Sequence, residues 1–566
     1  MKTQLKFDKN FFRDLWKITK PYWTSEEKWS AIGLLSLNVI CIIAQVRIHV
    51  GYNYFHKIFF NALQNFDKPG LIAALEYLLV LLVLLAGIMS LSIYCNNLLS
   101  LRWRRWLTKN YLDKWLTGHN HYHLQILKPH IDNPDQRMSE DLDEFPTKTL
   151  SLFGTFLSSV LMLISFGYIL WGLSKDFKLI PGYLVWVAFV YAFIGSWILA
   201  YLGKKLASLD YLRQKFNANF RFGLVRMREA SEQVSLFRGE QAEQKKFQGL
   251  FDIIFGNVIN IISLKLKLNL FNKAYNFAAY AVGLVVSIPY YLAKTITLGV
   301  VMQISSAFNS VVSAFSVFME AFYELAEWRS IIHRLAEFTE NLDELNHKHS
   351  NIKITYHDHP NIIVDNLQLK QPDGNLLLQK INLNLEPGQF ALLQGPSGSG
   401  KSTFMRALAG IWSFGEGNIH LPKFAKSLFL PQKPYFPQGT LKEVLLYPEI
   451  TSIDESKLTE ILSLCSLDKF KHQLNDTRNW SHELSLGEQQ LIAFARIFLH
   501  KPDLLFLDEA TSAIDENTEH HIYTELKKFL RETTIISISH RHHSIAILDQ
   551  LWEQGLLAYR HALIKI

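Results

Sequence analysis

Long apolar runs dominate the first half of the chain. Six of them approach the ~20 residues that a helix needs to cross a ~30 Å hydrocarbon core. They lie near residues 31–50, 72–100, 149–173, 179–203, 274–293 and 295–319, and the last four contain no Asp, Glu, Lys or Arg. A buried helix in a soluble core explains one such run but not six. Because lipid offers backbone groups no hydrogen-bond partners, the pattern predicts six transmembrane helices.

Basic residues gather in alternate loops between these runs. They precede the first run and follow the second and the fourth. The first group is Lys2, Lys6, Lys9, Arg13, Lys17, Lys20 and Lys28, the second is Arg102, Arg104, Arg105, Lys109 and Lys114, and the third is Lys204, Lys205, Arg213, Lys215, Arg221, Arg226 and Arg228. The other loops are short and hold few basic residues. Since basic loops stay in the cytoplasm, both termini, the two long loops and everything after residue 320 are predicted there.

Composition agrees with a chain that lies partly in a lipid bilayer. Hydrophobic residues make up 49% and charged residues only 19% of the 566 positions. The net charge of +7 does not indicate nucleic acid, because the basic residues lie beside the apolar runs. Before the first run, Phe11–Trp23 has an apolar and a basic face, which predicts an elbow helix in the membrane interface.

The pattern changes after residue 340. Asn341–Pro360 is polar and His-rich, which predicts a linker. Beyond it, short apolar strands alternate with helical segments, namely Ile362–Leu369, Ile381–Leu385, Phe390–Gln394, Leu504–Leu507 and Thr534–Ile538. Such alternation predicts an α/β domain. The expected organisation is an α-helical six-span transmembrane domain over residues 1–340, a linker over 341–360 and an α/β domain over 361–566.

A phosphate-binding loop follows the strand Phe390–Gln394. It comprises Gly395, Pro396, Ser397, Gly398, Ser399, Gly400, Lys401, Ser402 and Thr403, which match the pattern G-x-x-x-x-G-K-[ST]. The glycines let backbone N–H groups curl around phosphates at the N-terminus of the next helix. In this pattern Lys401 reaches the β- and γ-phosphates of ATP, and Ser402 is a ligand of Mg²⁺.

Two carboxylates end a later apolar strand. Asp508 and Glu509 follow Leu504–Leu507. An acid at the end of a strand beside the phosphate loop can hold Mg²⁺, which suits Asp508. Glu509 is then placed to polarise the water that attacks the γ-phosphate.

Between these motifs, Leu484–Gln490 resembles the signature sequence of ABC ATPases. The resemblance implies that Ser485 and Gly487 contact the ATP held by an opposing subunit. It also identifies Gln432 as the Q-loop glutamine that senses Mg²⁺, Asp515 as the D-loop aspartate and His540 as the switch histidine at the γ-phosphate. The chain departs from the family at Leu486, where glycine is commonest, and at Gln371, where an aromatic residue usually stacks on adenine.

The membrane domain resembles one branch of the ABC superfamily. The stretch Asp132–Asp141 and the stretches Phe220–Glu232 and Phe237–Glu240 are similar to those of ABCD-type half-transporters and bacterial SbmA/BacA-like transporters. In that family these loops carry the coupling helices that press on the ATPase domain. With one phosphate loop and one signature, the chain is expected to be half of a dimer, most simply a homodimer, with a heterodimer left open.

The resemblance implies an ATP-driven transporter that works by alternating access. Its relatives handle fatty acyl groups or acyl-CoA, peptides and corrinoids, so neither substrate nor direction follows from the sequence. Two alternatives are an ATP-sensing membrane regulator and a soluble-type ATPase anchored in the membrane. Regulators often lack one of the residues that correspond to Gln432, Glu509 and His540, all of which are present here. A membrane anchor would need only one or two spans. No peroxisomal targeting element is evident, which favours a bacterial cytoplasmic membrane.

Overall fold

The computed structural model describes residues 9–127, 134–174, 181–203, 205–347, 351–396, 398–449, 453–539 and 562–565. The chain forms two compact units. The first comprises Met1–Leu116 and Ile131–Leu342, and the second comprises Thr117–His130 and Asp343–Ile566.

The first unit is helical. Its helices are α1 (Lys9–Trp23), α2 (Lys28–Gln64), α3 (Lys68–Leu116), α5 (Pro134–Gln136), α6 (Leu142–Leu173), α7 (Tyr183–Gly203), α8 (Leu206–Glu229), α9 (Ser231–Leu236), α10 (Glu240–Leu292) and α11 (Leu298–His347). The described residues contain six helical stretches long and apolar enough to cross a membrane, which confirms the predicted number of spans. With 53 residues, α10 is about 80 Å long at ~1.5 Å per residue, so it extends far beyond a ~30 Å hydrocarbon core.

Helices α2 and α3 run antiparallel, and buried polar contacts fix their register. The Oγ of Ser92 donates to Oδ1 of the buried Asn38 at 2.7 Å, and the amide of Asn38 reaches Oδ1 of Asn96 at 3.5 Å. Farther along, a Cβ on Gly51 would lie 2.8 Å from the hydroxyl of Tyr77, so a larger residue here would displace the Tyr77 side chain. Such small and polar residues are typical of contacts between membrane helices.

Two further features of this unit bear on the predictions. In α1, Phe11, Ile18 and Tyr22 are buried, while Phe12 is 59% exposed, so the helix packs one face on the protein, and its role as an elbow helix stays a prediction. In the first long loop, the turn Arg137–Asp141 is π-helical. The buried Asp141 there binds Arg137 at 2.7 Å and also accepts a hydrogen bond from Arg334 Nε at 2.9 Å, which joins the start of α6 to α11.

The second unit is an α/β domain. Its strands are β1 (Ile352–His357), β2 (Ile362–Lys370), β3 (Leu376–Leu385), β4 (Phe390–Gln394), β5 (Gly415–Pro422), β6 (Ser427–Leu430), β7 (Gly439–Thr440), β8 (Thr477–Arg478), β9 (Leu504–Asp508), β10 (Thr534–Ile538) and β11 (Ala562–Lys565). The parallel sheet β11-β4-β10-β9-β6 packs beside the sheet β1-β5-β2-β3. The region expected to be a linker, 341–360, holds the end of α11 and the whole of β1.

Helices surround the parallel sheet. They are α4 (Asn120–Leu127), α12 (Lys401–Leu408), α13 (Leu441–Leu446), α14 (Glu455–Leu464), α15 (Trp480–Glu483), α16 (Leu486–His500) and α17 (Glu516–Phe529). One core joins β4, β9 and β10 to α12, and Ile126 of α4 packs against that core. A second core joins α13, α14 and α17 around α16, every residue of which from Gln489 to Leu499 is buried. Burial on all sides makes α16 a rigid support for the loops that contact it.

Candidate functional site

The phosphate-binding loop is positioned by the buried strand β4 and the helix α12. Gly398 and Gly400 have φ angles of +83° and +95°, which only glycine adopts without strain. Gly400 is the N-cap of α12, whose first residue is Lys401. Ser397 lies outside the described residues. The loop therefore turns its backbone toward the N-terminus of a helix, where anions are stabilised.

Lys401 bends back over this loop. Its Nζ donates to the carbonyl oxygens of Gly395 and Pro396, each at 2.8 Å, and the residue is only 6% exposed. The neighbouring Ser399 Oγ is buried and has no hydrogen-bond partner among the described residues. A cation and an unsatisfied hydroxyl on one curled loop suit a ligand that brings acceptor oxygens. Thr403 is buried in the first turn of α12.

A hydroxyl and a carboxylate meet beside Lys401. Ser402, the second residue of α12, donates its hydroxyl to Oδ1 of Asp508 at 3.1 Å. Asp508 ends β9, and its Cα pairs in register with Ile538 at the end of β10. Two oxygen ligands side by side form the kind of donor set that Mg²⁺ prefers.

Glu509 follows immediately in a strained conformation. Its φ angle is +50°, in the left-handed region that non-glycine residues rarely occupy, and its N–H donates to the Ile538 carbonyl oxygen at 3.1 Å. The Gln432 amide donates to Oε2 of Glu509 at 2.9 Å. Backbone strain of this kind is concentrated at functional sites, where surrounding contacts hold it in place. His540 lies outside the described residues.

Ser485 and Gly487 begin α16. Ser485 is its N-cap and forms a capping box with Glu488, whose carboxylate accepts from the Ser485 N–H at 2.8 Å. Burial alone would raise the pKa of Glu488, but hydrogen bonds from Lys469 and Ser485 outweigh it and hold that pKa below its ordinary value. A Cβ on Gly487 would lie 2.8 Å from the Ala513 carbonyl oxygen, so the residues before Asp515 pack directly on this helix.

Asp515 begins the next helix, α17. Its carboxylate accepts from the Thr518 N–H at 3.0 Å, and hydrogen bonds from Thr518 hold the pKa of Asp515 below its ordinary value. The carboxylate is therefore ionised at neutral pH. Gln371, at the position expected to face adenine, closes a tight turn through main-chain hydrogen bonds with Gly374 and Asn375.

The comparisons with known proteins agree with this architecture. Residues 16–292 match the family model described as ABC transporter transmembrane region 2, and residues 378–512 match the ABC transporter model. An ABC transporter ATP-binding protein of Haemophilus influenzae is 34% identical over 540 residues, which cover 94% of this chain and 90% of that protein. The chain belongs to the ABC transporter family.

This ABC transporter is also similar to ABC transporter D family member 2, chloroplastic, of Arabidopsis thaliana. The two are 31% identical over 606 residues, which cover 94% of this chain and 84% of the plant protein. The predicted resemblance to ABCD-type half-transporters is thus confirmed. A bacterial Atm1-family ABC exporter with ATP bound has the same fold, with a TM-score of 0.71 at 17% identity, and the match covers 94% of this chain and 97% of that one.

The family membership confirms that the chain binds and hydrolyses ATP to drive transport as a multi-pass membrane protein. Sequence reasoning assigned no role to two buried polar residues of the transporter's α16, Gln490 and Arg496. Arg496 donates to the carbonyl oxygens of Val444 and Tyr435 at 3.0 and 2.9 Å, and burial lowers its pKa to about 10. The available signal was that both residues lie next to the apolar segments Leu491–Ala495 and Ile497–Leu499.

Proposed function

We propose that Lys401, Asp508, Glu509 and Gln432 form the centre that hydrolyses Mg²⁺-ATP in this transporter. The observation that carries the proposal is the pairing of Ser402 with Asp508 at 3.1 Å and of Gln432 with Glu509 at 2.9 Å. The first pair supplies oxygen ligands next to the phosphate-binding loop. The second places a carboxylate and an amide where a water could be held.

Each residue has a distinct part in this mechanism. The loop Gly395–Thr403 and Lys401 bind the phosphates, and His540 is assigned to the γ-phosphate by family resemblance. Ser402, Asp508 and Gln432 would hold Mg²⁺, which supplies positive charge to the β- and γ-phosphate oxygens when bound. Gln432 donates through its amide nitrogen to Glu509, which leaves the amide oxygen available as a ligand. Glu509 then accepts a proton from the attacking water.

Substitution of Glu509 tests these roles. Glu509→Gln keeps the shape of the side chain but removes the base, so we expect ATP binding to survive while hydrolysis falls at least ~100-fold. Asp508→Asn should instead raise the Mg²⁺ concentration needed for half-maximal activity. Both are measured on the full chain in lipid nanodiscs, with Glu516→Gln as the control carboxylate at the start of α17. Turnover by Glu509→Gln at the rate of the native chain would contradict the assignment.

We further propose a homodimer in which Ser485, Gly487 and Asp515 of each chain complete the ATP site of the other. The chain carries one phosphate loop and one signature. Two ATP molecules would close the dimer and drive alternating access. Native mass spectrometry should show two copies, and a monomer with full ATPase activity would contradict this.

The proposed location is a bacterial cytoplasmic membrane, with the ATPase domain and both termini in the cytoplasm. The alternate basic loops and the bacterial relative support this placement. We propose that the transmembrane domain covers residues 1–340 and the ATPase domain 361–566, while the segment 341–360, expected to be a linker, carries the end of α11 and the strand β1. Labelling of single cysteines in intact cells at positions before α1 and between α2 and α3 tests the orientation, because only the second should react from outside.

For the substrate, Arg47 is the informative residue. The contacts of Asn38 with Ser92 and of Gly51 with Tyr77 place Arg47 opposite the apolar part of α3 between Tyr77 and Ser92. That part of α3 has no charged residue from Tyr77 to Leu101. Arg47 is exposed on the same face of α2 as Ile40 and Tyr54. An arginine at this depth marks a ligand path more often than a lipid contact.

We therefore propose an amphiphilic substrate with an anionic group, which favours an acyl-CoA or a corrinoid phosphate over a cationic peptide. Arg47→Gln should remove stimulation of the ATPase by such a compound and leave basal hydrolysis unchanged, whereas Arg47→Lys should retain part of it. Equal stimulation of the native chain and Arg47→Gln would contradict the assignment.

A further inference from the structure

Gln490 joins two loops of the ATPase domain to the helix α16, although the sequence motifs treat these three elements separately. It lies one turn into α16 and is fully buried. Its amide nitrogen donates to the main-chain oxygen of Gln432 at 3.1 Å and to the hydroxyl of Ser512 at 3.0 Å. Its amide oxygen accepts from the Ala513 N–H at 2.9 Å. One side chain of α16, the helix that begins at the signature sequence, thus holds the Q-loop at Gln432 and the D-loop, Ser512–Asp515, together.

Both loops act on Glu509. The side chain of Gln432 donates to Oε2 of Glu509, while the Ser512 N–H donates to the Glu509 main-chain oxygen at 3.1 Å. Gln490 binds the main chain of Gln432 and the residues Ser512 and Ala513. It therefore fixes the groups that hold Glu509 at its side chain and at its backbone, although it does not touch Glu509 itself. A buried network in which each member is satisfied specifies one arrangement of its parts.

We propose that Gln490 is a positioning residue that couples the signature helix to the hydrolytic centre of its own chain. Ser485 and Gly487 occupy the first turn of the same helix, and a displacement of α16 moves Gln490 with them. Gln432 and Ser512 then move relative to Glu509. The proposal rests on the proposed roles of Gln432 and Glu509. Its consequence for communication between the two chains also rests on the proposed dimer. In that dimer, ATP held by one chain adjusts the hydrolytic centre of the other.

The adjacent glutamine provides a matched control. Gln489 is also buried in α16, and its amide nitrogen donates to the carbonyl oxygens of Ser481 and Leu484 at 2.9 and 3.0 Å. Both partners belong to the segment just before α16, so these bonds join neither the Q-loop nor the D-loop to the helix. Gln489→Met and Gln490→Met each remove buried amide hydrogen bonds from the same turn and replace glutamine by a side chain of similar length.

The experiment compares these variants as full chains in nanodiscs. For Gln490→Met we expect kcat to fall about tenfold or more, which corresponds to the ~1.4 kcal/mol that misplacing a hydrogen-bonded group costs in the transition state. KM for ATP should change less than about twofold, because Lys401 and its loop are untouched. The Hill coefficient for ATP should fall to one. Gln489→Met and Gln490→Met should lower the unfolding temperature by similar amounts, because each removes buried hydrogen bonds. Only Gln489→Met should keep the Hill coefficient of the native chain.

A second substitution separates coupling from packing. Gln490→Glu keeps the volume but places an acceptor opposite the main-chain oxygen of Gln432, so it should reproduce the loss of kcat. Equal effects of Gln489→Met and Gln490→Met on kcat and on the Hill coefficient would overturn the proposal, as would a raised KM with unchanged kcat. Glu509→Gln is measured in parallel. If Glu509→Gln hydrolyses ATP at the native rate, the proposed hydrolytic centre is wrong. If Glu509→Gln is inactive but Gln490→Met is fully active, only the proposed role of Gln490 is refuted.

Discussion

Lys527 is a buried ammonium group on α17 without a carboxylate partner among the described residues. It is 3% exposed, its Nζ lies 3.5 Å from the Gly388 carbonyl oxygen, and it sits over the Phe390 ring at 5.8 Å from the centroid. Burial lowers its pKa from 10.5 to about 8. At about 1.36 kcal/mol per pKa unit, the charged form destabilises the folded state by roughly 3 kcal/mol.

The sign of the pH dependence follows from proton uptake. Between pH 8 and 10.5 the unfolded chain retains the proton of Lys527 that the folded chain has released. The free energy of unfolding therefore rises with pH across this window, and the full penalty is present below pH 8. Lys527→Met removes the charge and keeps the buried methylene groups. We expect it to stabilise the ATPase domain by about 2–3 kcal/mol at pH 7 and to abolish the rise.

Hydrogen exchange on the full chain in nanodiscs measures this effect. Peptides from β4 and α17 should be protected roughly 100-fold more in Lys527→Met at pH 7, since a factor of ten corresponds to about 1.4 kcal/mol. Lys528→Met is the matched control, because Lys528 is half exposed and pairs with Glu525 at 2.8 Å. Lower protection in Lys527→Met, or equal protection in both variants, would refute the reasoning.

Three further outcomes are expected. Gly487→Ala should gain helix propensity but place its Cβ 2.8 Å from the Ala513 oxygen. The clash should outweigh the ~1 kcal/mol gain and lower both kcat and the unfolding temperature, as an ATPase assay and scanning fluorimetry will show. Ser485→Ala should cost about 1 kcal/mol of stability through the lost N-cap, seen as faster exchange at the start of α16. Cys465 is fully buried and burial raises its pKa, so in a chain with its other cysteines replaced, maleimide should label it only after denaturation.

Strong local signals explain which elements the sequence predicted. The strands Phe390–Gln394 and Thr534–Ile538 have the predicted bounds, because each is a short, mainly apolar segment bordered by polar or glycine residues. The phosphate-binding loop and Glu509 follow from residue types at fixed spacing. By contrast, β1 is a short alternating segment, with Ile352, Ile354 and Tyr356, inside a polar and His-rich stretch, and its pairing partner β5 is distant in the sequence.

The helices are longer than the apolar runs from which they were predicted, for a related reason. Hydropathy identifies the part of a helix that lies in lipid, whereas α10 continues through a polar segment that carries no such signal. The role of Gln490 was equally inaccessible, because its partners Gln432 and Ser512 lie 58 and 22 positions away. Only the folded chain brings them together.

The most direct test of the central claim is the ATPase activity of the full chain in nanodiscs, measured beside Glu509→Gln against acyl-CoAs, corrinoids and peptides. We expect the native chain to hydrolyse ATP, one class of compound to stimulate it, and the substitution to abolish both activities while ATP still binds. Tight ATP binding without any turnover that depends on Glu509 would contradict an ATP-driven transporter and indicate a nucleotide sensor.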